Sequence, residues 1–338
     1  MKYSFPLSPY NQQRQFQKPV WVYPCHLAAY ATYLRNQGHE VIWDDRHGAN
    51  IGDKQIFDDS QIDVPFGDLP FPDRGFTDAK NKRWQSYGNY KFHPATHMMA
   101  SNLCWWGRCT FCVDTLKLQQ GEKRGLRTVE HVLNEIDDLI VHGYKEVFDD
   151  SGTFPIGDWL RDFCGEMISS GMNKKIVLGC NMKPISERVV PFKLMKEAGF
   201  RFILVGVESA NQRTIDKIVK GQESHKVVEN MKAMSDAGLE VHLTSMFGYE
   251  WETHEENMNT VRQIHLLLRK GYVKTAQASV FMPPRTAPPE NHPAQQYIKK
   301  VYDVYKKPWY WCRKIRDIKD VHDLTYLFKR VDHLWRAK

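Results

Sequence analysis

The chain has no run of about eighteen apolar residues, the length a helix needs to cross a bilayer, so none of its segments is expected to span a membrane. Its first residues, Met1-Lys-Tyr-Ser-Phe-Pro6, lack the continuous apolar core of a secretory signal. No unit of about 20–50 residues recurs, which argues against solenoids and propellers. Cysteine is scarce: there are seven, and three of them crowd into nine residues. That distribution speaks against a disulfide scaffold and for a reducing, cytoplasmic setting. Surplus charge is also missing from most of the chain, because residues 1–294 carry 35 Lys or Arg against 35 Asp or Glu. The whole net charge of +7 sits in residues 295–338, with 12 Lys or Arg against 5 Asp. At 338 residues, 42% hydrophobic and 26% charged, the chain reads as one large globular domain with smaller additions.

The crowded cysteines are Cys104-Trp-Trp-Gly-Arg-Cys109-Thr-Phe-Cys112. Such clustering is metal-ligand spacing. Two sites fit three thiolates. A structural zinc would need a fourth ligand, which His97 or His93 could supply. A four-iron four-sulfur cluster held by three cysteines would keep one iron open for another ligand. The other cysteines, Cys25, Cys164, Cys180 and Cys312, stand singly and are expected to be small buried apolar side chains.

Six strand–helix units follow one another through the middle of the chain. Strands are predicted at 96–102, 146–150, 175–180, 202–207, 240–245 and 275–281. Amphipathic segments fall near 127–143, 156–171, 185–198, 210–219, 254–270 and after 294. Alternation of this kind predicts parallel strands with right-handed helical crossovers, curling into a barrel or part of one. In such folds chemistry collects at the C-terminal ends of the strands. There the sequence places Asp149-Asp150-Ser-Gly152, Lys183, Glu208-Ser209 and Gly248-Tyr-Glu-Trp-Glu-Thr253. Simpler roles exist for several of them. The Asp pair could cap a helix, Ser209 with Gln212 matches a capping box, as does Thr253 with Glu256, and Lys183 could be solvated.

With an aromatic directly before its last cysteine and this α/β alternation behind it, the chain resembles the radical S-adenosylmethionine (SAM) superfamily, in particular the branch that often carries an N-terminal cobalamin-binding domain. The resemblance runs from about Ala28 to Pro284. It departs from the usual spacing in having four residues, Trp105 to Arg108, between the first two cysteines, where three are common. The resemblance implies a partial (β/α)6 TIM-like barrel, with Cys104, Cys109 and Cys112 as ligands of a [4Fe-4S] cluster. It implies SAM contacts at Phe111 (adenine), Asp149 and Asp150 (the methionine amino group), Lys183 (the carboxylate, where relatives often have Arg) and Glu208 (the ribose). Its activity would be reductive cleavage of SAM to a 5′-deoxyadenosyl radical that takes hydrogen from a substrate, a small molecule or peptide, with flavodoxin or ferredoxin as electron donor.

The resemblance also divides the chain: residues 1–95 as a truncated Rossmann-like, cobalamin-domain-like segment with its linker, 96–286 as the core barrel, and 287–338 as a basic, aromatic helical extension. The segment Ala28–Asp45 resembles the first strand–helix–strand unit of a cobalamin domain, and Asp68–Arg74 the linker that follows a complete one. About twenty residues separate them, too few for the rest of that domain, so cobalamin is not expected to bind even though Asp45-Arg-His47-Gly-Ala-Asn50 echoes a base-off cobalamin motif. Two other activities stay open, a cobalamin-dependent radical methyltransferase and a non-catalytic zinc or iron–sulfur module that binds RNA. In the extension, Val301, Tyr305, Ile315, Ile318, Leu324, Leu327, Phe328, Val331 and Leu334 recur at helical spacing. This favours helices packed on the barrel over a nucleic-acid or membrane grip.

Overall fold

The structure, a computed structural model, describes residues 2–6, 23–44, 55–56, 64–81, 85, 89–283, 289 and 291–336. Its main body is a six-stranded, all-parallel sheet in sequential order: β4 (Ala95–Met98), β5 (Glu146–Asp149), β6 (Val177–Met182), β7 (Phe200–Glu208), β8 (Glu240–Phe247) and β9 (Thr275–Val280). Among the described strands β9 does not return to β4, so the curl is a partial barrel and not a closed one. Helices cross over between the strands: α2 (Val113–Gln119) and α3 (Val129–Val141), then α4 (Asp158–Ser169), α5 (Phe192–Glu197), α6 (Gln212–Lys217) with α7 (Val227–Asp236), and α8 (His254–Lys270). Each buries one stripe. On α3 the stripe is Val132, Ile136 and Leu139; on α8 it is Val261, Ile264, Leu267 and Leu268, the three-to-four-residue spacing of an amphipathic helix. Thr253 and Glu256 make the expected capping box of α8.

The boundaries depart from sequence expectation for local reasons. β4 ends at Met98 because the backbone N–H groups of Ala100 and Ser101 turn to the side chains of Asp149 and Ser151. Lys175 belongs to the turn before β6. The segment near 185–198 is helical only from Phe192, since Pro184 and Pro191 bar an earlier start. Helices α2 and α7 were not foreseen. The proposed capping box at Ser209 does not form: α6 starts at Gln212 behind Asn211, and the Ser209 hydroxyl donates to Glu252 at 2.6 Å. Nor do Asp149 and Asp150 cap α4, which begins at Asp158.

An open sheet leaves two edges of unpaired backbone, and side chains cover both. On β4 the Gln85 amide accepts from Ala95 N at 2.8 Å and donates to Ala95 O at 2.7 Å, while Arg74 donates to His97 O at 2.9 Å. On the far edge the extension does the same work. Helix α9 (Gln295–Tyr302) and the turn after it present Tyr305, whose hydroxyl both accepts from Ala276 N and donates to Ala276 O at 2.7 Å. Tyr302 bridges Ala278 in the same manner, and Tyr310, on α10 (Pro308–Arg316), reaches Lys274 O at 3.3 Å. Lys274, Ala276 and Ala278 are alternate residues, whose peptide groups point to one side of a strand. The extension therefore packs, as its periodicity suggested, but only in part. Val301 and Tyr305 are buried, whereas Ile315, Leu324 and Phe328 are exposed, the last two on α11 (Val321–Arg336). Cys25, Cys164 and Cys180 are buried as expected; Cys312 is on the surface.

Towards the N-terminus, β1 (Lys2–Pro6) pairs in parallel with β2 (Glu40–Asp44) and β3 (Gln55–Ile56), in the order β2-β1-β3, with α1 (Cys25–Asn36) between β1 and β2. This is a parallel strand–helix–strand unit, as Ala28–Asp45 implied. Arg74, in the linker-like stretch, is buried and shares Glu135 of α3 with Arg127, a buried ionic knot that pins this stretch to the barrel. The motif Asp45–Asn50 and residues 284–286, the end of the expected core barrel, lie outside the described residues.

Candidate active site

The floor of the curl is filled by rings. His97 on β4, Phe148 on β5, Phe202 on β7 and His242 on β8 follow one another at centroid distances of 5.7, 6.1 and 6.0 Å. His97 belongs to this floor: it is fully buried, and its Nδ1 meets the Tyr90 hydroxyl. Burial, and then the charge of Arg74, push its pKa down to about 3. His93 precedes β4 and meets Gln85 at 3.2 Å. Neither approaches the cysteines, which follow the opposite end of that strand. The zinc site with a histidine ligand therefore does not form, and among the described residues no three His, Cys, Asp or Glu side chains gather at a single-ion site.

Above the floor the strand ends converge on the cysteine loop. Cys104, Cys109 and Cys112 all carry free thiols. The loop is tied on both sides. Cys104 N donates to Asp114 at 2.8 Å and Cys104 O accepts from Arg124 at 3.1 Å. Across the mouth, the loop after α6 takes hold of it: Thr110 N donates to Ile218 O at 3.1 Å and the Trp106 indole to Val219 O at 2.8 Å.

That second loop, Ile218 to Gln222, also reaches β6 and β7. Lys183 donates to Gly221 O at 3.2 Å, and Gln222 to Val207 O at 2.7 Å. Val219 sits at φ +52°, a conformation costly for a β-branched residue and held by these contacts. Gly221 faces Trp106 so closely that a Cβ there would lie 2.1 Å from the indole. The four-residue gap between the first two cysteines thus supplies Trp106, whose ring lies against this loop and 3.5 Å from the Lys183 ammonium.

Glu208 ends β7 at φ +65°, where the pairing with β8 slips between Gly206 and Glu208. Its carboxylate folds back over Gly206, where a Cβ would come within 2.5 Å of Glu208 Oε1 and 2.9 Å of Lys220 Nζ. Only glycine leaves room for the buried Glu208–Lys220 ion pair, which closes at 2.7 Å. Burial opposes the charge on Lys220, but Glu208 beside it overrides this and raises its pKa.

Lys183 is buried at 5% exposure and is not the solvated lysine that the sequence also allowed. Burial, reinforced by Lys220, lowers its pKa to about 8. Asp149 is fully buried, and its two oxygens accept from Ala100 N at 2.7 Å and Ser151 N at 2.9 Å. It is occupied as a clamp between two loops. Asp150 opens to the mouth; water reaches it, yet protein surrounds it on most sides. That desolvation, and then the charge of Asp149, lift its carboxyl to about 7. Phe111 leans edge-on against Phe281 at 6.5 Å in an apolar wall with Tyr249 and Trp251.

Lys220 was not singled out from the sequence, and Tyr249 only as part of the stretch Gly248–Thr253. Tyr249 is buried and packs 4.5 Å from Phe281, and its hydroxyl has no hydrogen-bond partner among the described residues. A lysine directly before a glycine, after Ile218-Val219, was the available signal for Lys220.

Residues 99–264 match the Radical SAM superfamily, and the chain carries a domain of that superfamily. Membership of that superfamily implies a [4Fe-4S] cluster and SAM as cofactors. Over 156 residues it is 27% identical to the uncharacterized methyltransferase PH0819 of Pyrococcus horikoshii, covering 46% of this chain and 33% of that protein. Among solved structures, the radical SAM methyltransferase TsrM of Kitasatospora setae, with tryptophan substrate and a SAM analogue bound, is 16% identical at a TM-score of 0.48. The match covers 59% of this chain and 37% of that one. The cobalamin-dependent SAM radical enzyme OxsB, with aqua-cobalamin bound, is 18% identical at a TM-score of 0.48, over 72% of this chain and 34% of that one. The chain thus spans about a third of the length of these relatives.

The residues at the mouth fit the two cofactors. Three free thiols on one loop match the donor set that a cluster with an open iron takes. Two ammonium groups, an exposed carboxylate and an unpartnered hydroxyl stand around it, a mixture suited to a zwitterionic nucleoside.

Proposed function

We propose that the mouth formed by the cysteine loop, Asp150, Lys183 and Glu208 binds a [4Fe-4S] cluster through Cys104, Cys109 and Cys112 and holds SAM beside it for hydrogen abstraction from a small-molecule or peptide substrate. With both cofactors bound, one-electron reduction of SAM gives methionine and a 5′-deoxyadenosyl radical, and the cofactors carry that chemistry. The chain's own residues position and seal. Lys183, held against Trp106, offers its ammonium to the methionine carboxylate, as a point charge where an arginine would give a fork. Asp150 receives the amino group, and Asp149 fixes the backbone that presents it. Glu208 takes the ribose hydroxyls, and Phe111 gives the adenine an apolar wall. Lys220 keeps Glu208 aimed while the site waits. The apolar wall of Phe111, Tyr249, Trp251 and Phe281 excludes water from one side.

One observation carries this reading: the three free thiols lie on the loop that is bonded to the Ile218–Gln222 segment and whose Trp106 ring lies against the Lys183 ammonium. We propose further that the enzyme works without cobalamin, since the roughly twenty residues between Asp45 and Asp68 are too few for the rest of a cobalamin domain. An electron donor such as flavodoxin or ferredoxin belongs to the same reading.

The test is anaerobic reconstitution. About four iron and four sulfide per chain, with SAM converted to 5′-deoxyadenosine on reduction, are the expected result. Cys109→Ala should abolish the cluster, and Cys164→Ala, deep in the core, should retain it. Zinc without sulfide, or loss of iron in the Cys164 variant alone, would overturn the assignment.

A further inference from the structure

At the other end of the sheet, away from the cysteines, lies a cavity of about 660 Å3. Small-molecule sites commonly measure roughly 300–1,000 Å3. Its inner wall is the N-terminal rim of the barrel, including Val177, Phe200 and Glu240, the first residues of β6, β7 and β8. Its outer wall is the extension, from Lys314 on α10 to Leu327 on α11. Packing of the tail on the edge of β9 leaves this space beneath the strands.

The cavity is strongly cationic. Three carboxylates line it, and each is already held by a cation in the same wall: Glu240 by Arg201 at 2.8 Å, Asp317 by Lys274 at 2.8 Å and Asp323 by Lys91 at 2.6 Å. Three further cations, Lys196, Arg316 and Lys319, line it beside Lys314, with no fourth carboxylate among the described residues of the wall. They come from three separate segments: Lys196 from α5, Arg316 from α10, and Lys319 from the turn before α11. Arg201 is nine-tenths buried in this wall, and its Nε has no hydrogen-bond partner among the described residues. Burial lowers the pKa of Lys196, and Arg201, Lys319 and Lys91 lower it further against the opposing pull of Glu240. Lys196, Arg316 and Lys319 are all solvent-exposed, open to a compact polyanion. A single carboxylate would answer only one of them. Phe92 and Tyr326 add ring surface to the wall.

We propose that this cavity binds a small molecule carrying a diphosphate or triphosphate group, at a site separate from the cysteine mouth. Several charges on adjacent phosphorus centres match cations that converge from different elements, and charge-assisted hydrogen bonds to phosphate are the strong ones. The rings beside them suit the base of a nucleotide.

The experiment is calorimetric titration of inorganic pyrophosphate, and separately of magnesium-free ATP, into the cluster-loaded full chain. Saturable binding of one anion per chain is expected. The double variant Lys196→Glu/Lys319→Glu should weaken it at least tenfold with iron content unchanged, and the milder Lys196→Gln/Lys319→Gln should weaken it several-fold should the first variant fold poorly. Lys183→Gln, at the opposite end, should leave it unaltered. No saturable binding of either anion overturns the proposal, and so does binding that both cavity variants retain. Loss in the Lys183 variant would place the anion at the mouth, against the proposal. A single-stranded RNA that binds where pyrophosphate does not would replace the small-molecule site with a nucleic-acid surface.

Discussion

At the scale of single residues, Glu208 shows how a function and a structural role come to share one side chain. For a residue that served either the ligand or the fold alone, loss of SAM affinity and loss of stability would be rival outcomes of Glu208→Gln. The ion pair to Lys220 joins them, because glutamine leaves a buried ammonium without its counter-charge. The variant should bind SAM more weakly by about 1.5–3 kcal/mol, roughly ten- to a hundredfold, and should also melt earlier. Adding Lys220→Met removes the stranded charge, so the double variant should regain melting temperature without regaining SAM affinity. Calorimetry paired with thermal melts reads both, and unchanged affinity in Glu208→Gln would take the residue out of the site. His97 makes a second residue-scale case. Its folded pKa of about 3 lies below the ordinary histidine value of 6.5, so the unfolded chain takes up the proton first. The stability that depends on its neutral ring is complete above pH 6.5 and is lost as pH falls towards 3, by at most about 1.4 kcal/mol per pH unit. Urea melts between pH 7 and 5 should show this slope, and His97→Gln should flatten it.

Among the elements, the edges of the sheet explain how six strands remain open. Paired side chains stand in for a missing strand, Gln85 on one edge and three tyrosines on the other. Tyr305→Phe removes a hydroxyl that both donates to and accepts from Ala276, and strands a buried N–H at a cost of about 1–3 kcal/mol. The melting temperature should fall while iron content at the far mouth holds. An unchanged melt would show that the packing of the extension, not its hydroxyls, closes this edge. The loop from Ile218 to Gln222 is the other telling element. In sequence it is an unremarkable tail to a helix, yet it touches the cysteine loop, β6 and β7 together.

At the scale of the whole molecule, the parallel sheet sorts the chain into two ends, with the thiols at one and a cationic cavity beneath the other. No described helix is long and apolar enough to cross a membrane. The short stretch between Asp45 and Asp68 predicts that equilibrium dialysis with hydroxocobalamin will show no stoichiometric retention, and one tightly held cobalamin per chain would reverse that reading. The six strand–helix units and the cysteine loop were legible in the sequence because both are local: strand and helix periods repeat within a few residues, and three cysteines within nine declare themselves. The span of α8 and its capping box were readable for the same reason. What the chain alone did not disclose were meetings between distant residues. Lys220 with Glu208, Trp106 with Lys183 and Gly221, the tyrosines on β9 and the cations gathered from three segments all depend on where crossovers return the chain. Periodicity assigns a side chain to a face, but only the closed-up sheet decides which other face it meets, because contact energies act through space and not along the sequence.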